Sequence, residues 1–271
     1  MTDAQWAAVR PLLPPRRPRT GRPARDHRTV LGAILWVLRT GAPWRDLPGC
    51  FGRWSTAWSR FRRWTAAGVW ARVLATLQRA ADRAGGLDWA THYVDGTVVR
   101  AHARGVAQHA AGAAGGQAHE ALGRSRGGFS TKVHVRAEGG GKPLAVVVLG
   151  GERHESRYVG ALLAAGHVRR AGRGRPRARP GQLVGDKGYS YPTVRRLLAR
   201  RGIRAVIPRR SDQRPGDRRH RPFDRTAYRE RNRVERLINR LKQHRRVATR
   251  SEKRASHYVA TLTIASTLLW L

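Results

Sequence analysis

Disulfide bonding within this chain is excluded, because its 271 residues contain a single cysteine, Cys50. A cysteine zinc site is excluded with it, and a reducing compartment is expected. Carboxylates are scarce: 17 Asp and Glu stand against 55 Lys and Arg, a formal charge of +38. Such an imbalance selects a polyanion as partner. Lysine is nearly missing from those cations, with only Lys132, Lys142, Lys187, Lys242 and Lys253. A coding bias toward arginine accounts for part of that count, but not for the shortage of acids. Long apolar runs are also lacking: Val30–Leu38 is too short to cross a bilayer, and Tyr258–Leu271 is interrupted by Thr and Ser. The N-terminus M-T-D-A-Q-W does not have the pattern of a signal peptide, and no sustained basic amphipathic helix argues for a membrane surface. A soluble, cytoplasmic, nucleoid-associated protein with no membrane partner is expected. No G-x-x-x-x-G-K-[ST] motif is present, so no nucleotide cofactor is implied.

Seven of the nine tryptophans fall in residues 1–85, whose apolar spacing is helical. Thr2 or Asp3 caps a first helix through Leu13, and Asp26 caps a second carrying Val30, Leu31, Ile34, Leu35 and Leu38. Trp54, Trp58 and Phe61 then recur at helical spacing, interleaved with Arg53, Arg60, Arg62 and Arg63. A last helix follows at about 69–84. Three or four short helices with a basic later one resemble a helix-turn-helix module, so an all-α, helix-turn-helix-like DNA-binding domain is expected over 1–85, with Arg60, Arg62 and Arg63 near the helix that meets the duplex. The bland alternative is a small bundle with tryptophans in its core and arginines in solvent.

From Trp89 the period changes to two. In H-Y-V-D-G-T-V-V, residues Tyr93, Asp95, Thr97 and Val99 share one face of a strand. Residues 103–128 read as a Gly- and Ala-rich loop, and 130–135 with 144–149 as a hairpin. Helix 155–165, strand 183–186, helix 192–201, strand 204–207 and the helix bearing Glu235 complete a βββαβαβα order. That order belongs to RNase H-like domains, so 86–271 is expected to be an α/β domain with a mixed sheet. Asp95 in the first strand and Asp186 at the end of L-V-G-D then lie on adjacent strands, and the Glu235 helix closes over them. Three carboxylates so close repel one another, and hard divalent cations such as Mg²⁺ relieve the repulsion. Two such ions clamp the oxygens of an in-line phosphoryl transfer. In the stretch 228–242 the spacing Y-x2-R-x3-E-x6-K puts Tyr228, Arg231, Glu235 and Lys242 along one stripe of a helix, about 20 Å long.

V-D-G-T-V-V-R-A-H around Asp95, G-R-S-R-G-G-F-S-T-K-V-H-V at 123–135, V-G-D-K-G-Y-S at 184–190 and Y-x2-R-x3-E-x6-K resemble the DDE transposases of bacterial insertion sequences. Within them the chain is most similar to the IS-five group, a resemblance that extends to M-T-D-A-Q-W-A-A-V-R-P-L-L-P and G-A-P-W-R-D-L-P in the N-terminal region. It implies that Asp95, Asp186 and Glu235 are the catalytic, metal-binding triad for two Mg²⁺ ions, with Mn²⁺ as a substitute. It makes Tyr228, Arg231 and Lys242 auxiliary residues on the same helix. The implied partners are double-stranded DNA, as element ends and as target, and further copies of the chain in a homodimer or higher oligomer on paired ends. The alternatives are a decayed basic DNA-binding protein and an RNase H-fold nuclease that hydrolyses without joining.

Other residues carry weaker expectations. Lys187, beside Asp186, is placed to hold a scissile-strand phosphate. His154 and Glu155 either cap a helix or supply a further metal contact. His102 and His134 read as polar surface or sheet residues. The run A-G-R-G-R-P-R-A-R at 171–179 reads as a flexible basic connection, with minor-groove binding as the rival reading.

Overall fold

The computed structural model describes residues 1–16, 25–102, 120–125, 128–151, 158–170, 172–211, 213 and 223–271. His154, Glu155 and most of the expected loop at 103–128 lie outside them. The chain opens with α1 (Asp3–Val9), where Thr2 and Gln5 form a reciprocal capping box. The expected helix through Leu13 ends its α geometry at Val9 and tightens into a 3₁₀ turn, Arg10–Leu12, containing Pro11. Asp26 accepts the Thr29 N–H (2.9 Å) to start α2 (His27–Thr40), and Gly41, at φ 72°, ends it in the left-handed conformation. Helices α3 (Trp54–Ala66) and α4 (Val69–Arg83) follow, joined through Gly68 at φ 64°.

Six strands form one sheet: β1 (Thr91–Arg100), β2 (Gly123–Ser125), β3 (Gly128–Ala137), β4 (Pro143–Gly150), β5 (Gln182–Val184) and β6 (Arg204–Val206). β1 is central, antiparallel to β3 on one side and parallel to β5 on the other; β4 pairs with β3 and β6 with β5. Helices α5 (Val159–Ala165) and α6 (Pro192–Arg200) pack on one face, where Val94, Leu183, Leu162, Leu163 and Leu198 are buried together. The other face meets α7 (Arg225–Arg229), α8 (Asn232–Lys242), α9 (Arg245–Ala248) and α10 (Ala255–Leu268). The short β2 extends the mixed sheet expected from the sequence.

Helix α10 joins the N-terminal helices to the sheet. It is buried over most of its surface rather than along one stripe, with Ser256 and Val259 exposed, which is why its sequence shows no amphipathic period. Its threonine hydroxyls bond back into the helix: Thr261, Thr263 and Thr267 each donate to the carbonyl four residues back, at 3.0, 2.7 and 2.8 Å, while the buried Ser266 hydroxyl has no partner among the described residues. His257 stands edge-on to Trp58 and Phe61 of α3, and Ile264 and Leu262 share a buried cluster with Trp70 and Val133. The N-terminal helices and the sheet thus share one continuous core. Among the described residues no helix is long and apolar enough to cross a membrane.

Two histidines are buried within the sheet. His92 donates its Nε2–H to the Asp88 carbonyl and accepts from Arg136 Nε at 3.0 Å on Nδ1; burial, then the Arg136 charge, push its pKa down to about 3. Burial likewise lowers His134 to about 4. The folded protein therefore holds both neutral, whereas the unfolded chain protonates them near 6.5. Their contribution to stability is complete above pH 6.5 and lost as pH falls toward 4 and 3. At pH 5 each lowers stability by about 2 kcal/mol relative to neutral pH. In urea titrations at pH 7.5 and 5, His92→Gln should shrink the difference by about that amount. An undiminished difference would contradict the assignment.

Candidate active site

Asp95 lies in the middle of β1. The parallel register with β5 pairs Tyr93 with Val184, so two residues further along Asp95 stands beside Asp186, just past the end of β5. Local chemistry fixes each carboxylate. Asp95 Oδ1 accepts the Gly96 N–H at 2.8 Å, while Asp186 Oδ1 accepts the Gly188 N–H at 2.9 Å and caps the 3₁₀ turn Lys187–Tyr189. Gly96 has no room for a side chain, because a Cβ there would lie 2.9 Å from His134 Nδ1. That same His134 nitrogen shares a 3.0 Å hydrogen bond with the Tyr189 hydroxyl, tying the Asp186 turn to β3. Nothing in the sequence gave Tyr189 a role, although it belongs to the quoted motif. His134 is fully buried in the sheet, the second of its two expected settings.

Glu235 comes from the first turn of α8 and forms an ion pair with Arg231, whose other nitrogen lies 3.6 Å from Asp95 Oδ2. The guanidinium therefore stands between two of the three acids. Asp95 is raised to about 6: burial raises it most, the Gly96 N–H and Arg231 draw it down, and Asp186 and Glu235 push it up. The three carboxylates are thus near enough to sense one another. Among the described residues no three acid, histidine or cysteine groups are arranged as a ready-made metal cage. The donor set nevertheless suits a hard divalent cation, being all oxygen and crowded with negative charge around Asp95. A cation bound at Glu235 would displace its ion pair with Arg231.

The stripe 228–242 is not one helix. Tyr228 belongs to α7, and the backbone tightens at Glu230 and Arg231 through i→i+3 bonds (Arg231 to Tyr228, Arg233 to Glu230) before α8 begins. Arg233 fixes this break by pairing with Glu230 at 2.6 Å and donating to the Gly139 carbonyl at 2.7 Å. Tyr228 still faces Arg231, with the guanidinium 5.8 Å from the ring centroid. Lys242 Nζ donates to Thr97 Oγ1 at 2.7 Å, on the strand face that bears Asp95. Arg240 is exposed. Lys187 is exposed next to Asp186, and His102 is exposed at the end of β1.

The three arginines expected to meet a duplex separate. Arg62 and Arg63 are exposed on α3. Arg60 is only 8% exposed; it donates to His27 Nδ1 at 3.3 Å and stacks on Trp64 at 5.4 Å. His27 offers that nitrogen because its Nε2–H is given to the Pro14 carbonyl (2.9 Å). Arg60 lies on the buried face of α3 with Ala57, Phe61 and Trp64, at i, i+3, i+4 and i+7, whereas Arg62 and Arg63 fall outside that face.

Comparison with known proteins agrees with this architecture. Residues 1–74 match the family model described as "Putative transposase of IS4/5 family", and residues 93–270 match that of the "Transposase DDE domain". The chain is 44% identical over 109 residues to the insertion element IS402 uncharacterized 16.2 kDa protein of Burkholderia cepacia, covering 36% of this chain and 71% of that one. It is 36% identical over 140 residues to uncharacterized protein y4sN of Sinorhizobium fredii, covering 52% of this chain and 96% of that one. In fold it is similar to the piggyBac transposase, solved as a synaptic complex with hairpin DNA, at TM-score 0.50 and 11% identity, covering 98% of this chain and 70% of that one. An RNase H-like sheet behind a helical N-terminal region, with a DDE-domain match over most of the chain, places this protein in the IS4/5 family of DDE transposases.

Proposed function

We propose that this chain binds the terminal inverted repeats of an insertion sequence and catalyses divalent-metal-dependent cleavage and strand transfer of DNA. The observation that carries the reading is the convergence of Asp95, Asp186 and Glu235 where β1, the end of β5 and α8 meet, with one cation already drawn between two of them. These three side chains would hold two Mg²⁺ ions, or Mn²⁺ in their place. When bound, the ions activate the attacking oxygen and stabilise the leaving one. Arg231, released from Glu235, is placed to take a phosphate oxygen, and Lys242, held at Thr97 further along the Asp95 strand face, supplies a second cation. Tyr228 packs against Arg231 and limits the directions its guanidinium takes. The same site would first use water to free a 3′-hydroxyl at the element end and then direct that hydroxyl at target DNA. No covalent link to the protein is required.

Incubation with Mg²⁺ and a duplex carrying the inverted repeats that flank the gene tests this reading. A new 3′-hydroxyl at the repeat boundary, followed by joined products, is expected. Cleavage without joining would favour a nuclease of this fold. DNA binding with neither product would favour a non-enzymatic binding protein.

The N-terminal helices supply the repeat-binding surface in this proposal, with Arg62 and Arg63 as contacts and Arg60 as a structural group. Because these helices share their core with the sheet, the full chain is the appropriate material. Arg62→Ala with Arg63→Ala should reduce the log–log salt slope of DNA affinity by about 1.8, roughly 0.9 per phosphate contact. Arg60→Gln should instead lower the melting temperature and leave that slope alone. Filter binding across salt, beside thermal melts, checks both; an unchanged slope in the double variant would remove α3 from the interface.

A further inference from the structure

The segment 169–180 has six arginines in twelve residues and no acid, whereas Lys and Arg together make up 55 of the 271 residues of the chain. The enrichment exceeds the chain's own bias. Val168 and Arg177 pair across an antiparallel bridge, with mutual backbone hydrogen bonds of 2.8 Å. The Arg177 guanidinium lies 4.9 Å from the Trp89 ring centroid and 3.5 Å from Asp82, which in turn accepts the Trp89 indole N–H at 2.7 Å. Arg177 therefore anchors this segment to the body of the protein.

Arg179, two residues beyond that anchor, leans over the last turn of α6, where a Cβ on Gly202 would be 3.2 Å from its Nη1. There it joins Arg200 and Arg201 around an open cleft of 580 Å³, floored by Ala178, Ala199 and Ile203. Arg173 and Arg175 are exposed along the approach. The negative end of the α6 dipole allows cations to gather at this terminus, but it offsets only about half an elementary charge. Three guanidinium groups around one cleft leave an excess of positive charge that an anionic ligand complements.

The position of this cleft separates it from the carboxylates. β5 starts beside Thr91, four residues before Asp95 in β1, which is about 13 Å along the strand. α6 runs from the Asp186 turn at its start to the cleft at its end. A phosphate held at the acids is therefore at the opposite end of the sheet from the cleft. We propose that Arg173, Arg175, Arg179, Arg200 and Arg201 form a second, sequence-independent track for duplex DNA backbone. On this track runs the part of the duplex that extends away from the scissile phosphate. The proposal rests on the transposase reading and adds the path that the DNA takes across the catalytic domain. Guanidinium groups arranged along an extended segment and a helix end suit phosphate oxygens on a duplex, which carries one charge per about 1.7 Å of its axis.

The test is a salt series of DNA affinity with the full chain and a duplex of about 30 base pairs, roughly 100 Å at 3.4 Å per step. The variant is Arg173→Ala, Arg175→Ala, Arg179→Ala, Arg200→Ala and Arg201→Ala combined. Its log–log slope should be shallower than the parent's by about 3 to 4.5. The corresponding five Arg→Lys changes should keep the parent slope, which shows that charge and not altered folding is the cause; a melt of each variant accompanies the series. An alanine variant with the parent's slope overturns the track while leaving the transposase reading in place. A parent protein without salt-dependent DNA binding overturns the transposase reading, and the track falls with it.

Discussion

Asp95→Asn, Asp186→Asn and Glu235→Gln should each lower Mg²⁺-dependent cleavage of element ends at least about a thousandfold, equivalent to about 4 kcal/mol of transition-state stabilisation. Affinity for the same DNA should change by less than about threefold, because long-range binding comes from phosphate contacts spread over the basic surface. The amides keep the shape of the acids, so the Gly96 and Gly188 N–H groups remain satisfied. Asp95→Asn should also stabilise the protein in the presence of a chelator. The folded state raises this carboxyl to about 6 from an ordinary 3.8. Its favourable protonated form is fully populated below pH 3.8, and the associated stability is lost as pH rises through 6. At pH 7.5 the ionised, partly buried acid lowers stability by on the order of 2–3 kcal/mol, and the amide removes that penalty. A variant that melts higher and cleaves nothing separates lost chemistry from lost folding. Cleavage within tenfold of the parent in any of the three would show that the acid is not required.

Lys242→Ala should slow single-turnover cleavage of pre-bound ends by about tenfold to a hundredfold, while Arg240→Ala, two residues away on the same helix, should change it by less than about twofold. The contrast follows from direction. Lys242 reaches Thr97 on the strand face shared with Asp95, whereas Arg240 points to solvent. Removing a positioning cation displaces the scissile phosphate by fractions of an ångström, which affects the rate more than binding. Saturating protein in both reactions removes any difference in affinity. Equal rates would mean that the Y-x2-R-x3-E-x6-K spacing has no bearing on catalysis.

How much of this was legible in the sequence varies with the kind of interaction. Strand β1, the β3–β4 hairpin and the order of the later elements follow from local periodicity, and the sheet order brings Asp95 and Asp186 to neighbouring strands. The approach of Glu235 required only that an amphipathic α8 lay its apolar side on the sheet, and Val234, Leu237, Ile238 and Leu241 do so. What local pattern did not show was contact between distant segments. Arg60 looks exposed in a list of basic residues and is buried, where His27, from another helix, accepts its hydrogen bond. The break at Glu230 and Arg231 involves no Gly or Pro; it depends on Arg233 reaching the turn at Gly139. The role of α10 was hidden for a similar reason. A helix buried over most of its surface has no polar face to reveal its phase, and its neighbours α4, β4, α9, α3 and α8 define it. Helix α4 ends at Arg83 and β1 begins at Thr91, but the core runs across the change from helix to strand.

The central claim is that Asp95, Asp186 and Glu235 together hold the divalent ions, and counting those ions tests it most directly. Mn²⁺ binding to the full chain with a bound element end, followed by electron paramagnetic resonance, should show two ions per protomer in the parent. Asp186→Asn and Glu235→Gln should each lose at least one, and Lys242→Ala should keep both. Two ions retained in both acid variants would contradict the account and place the metal site elsewhere.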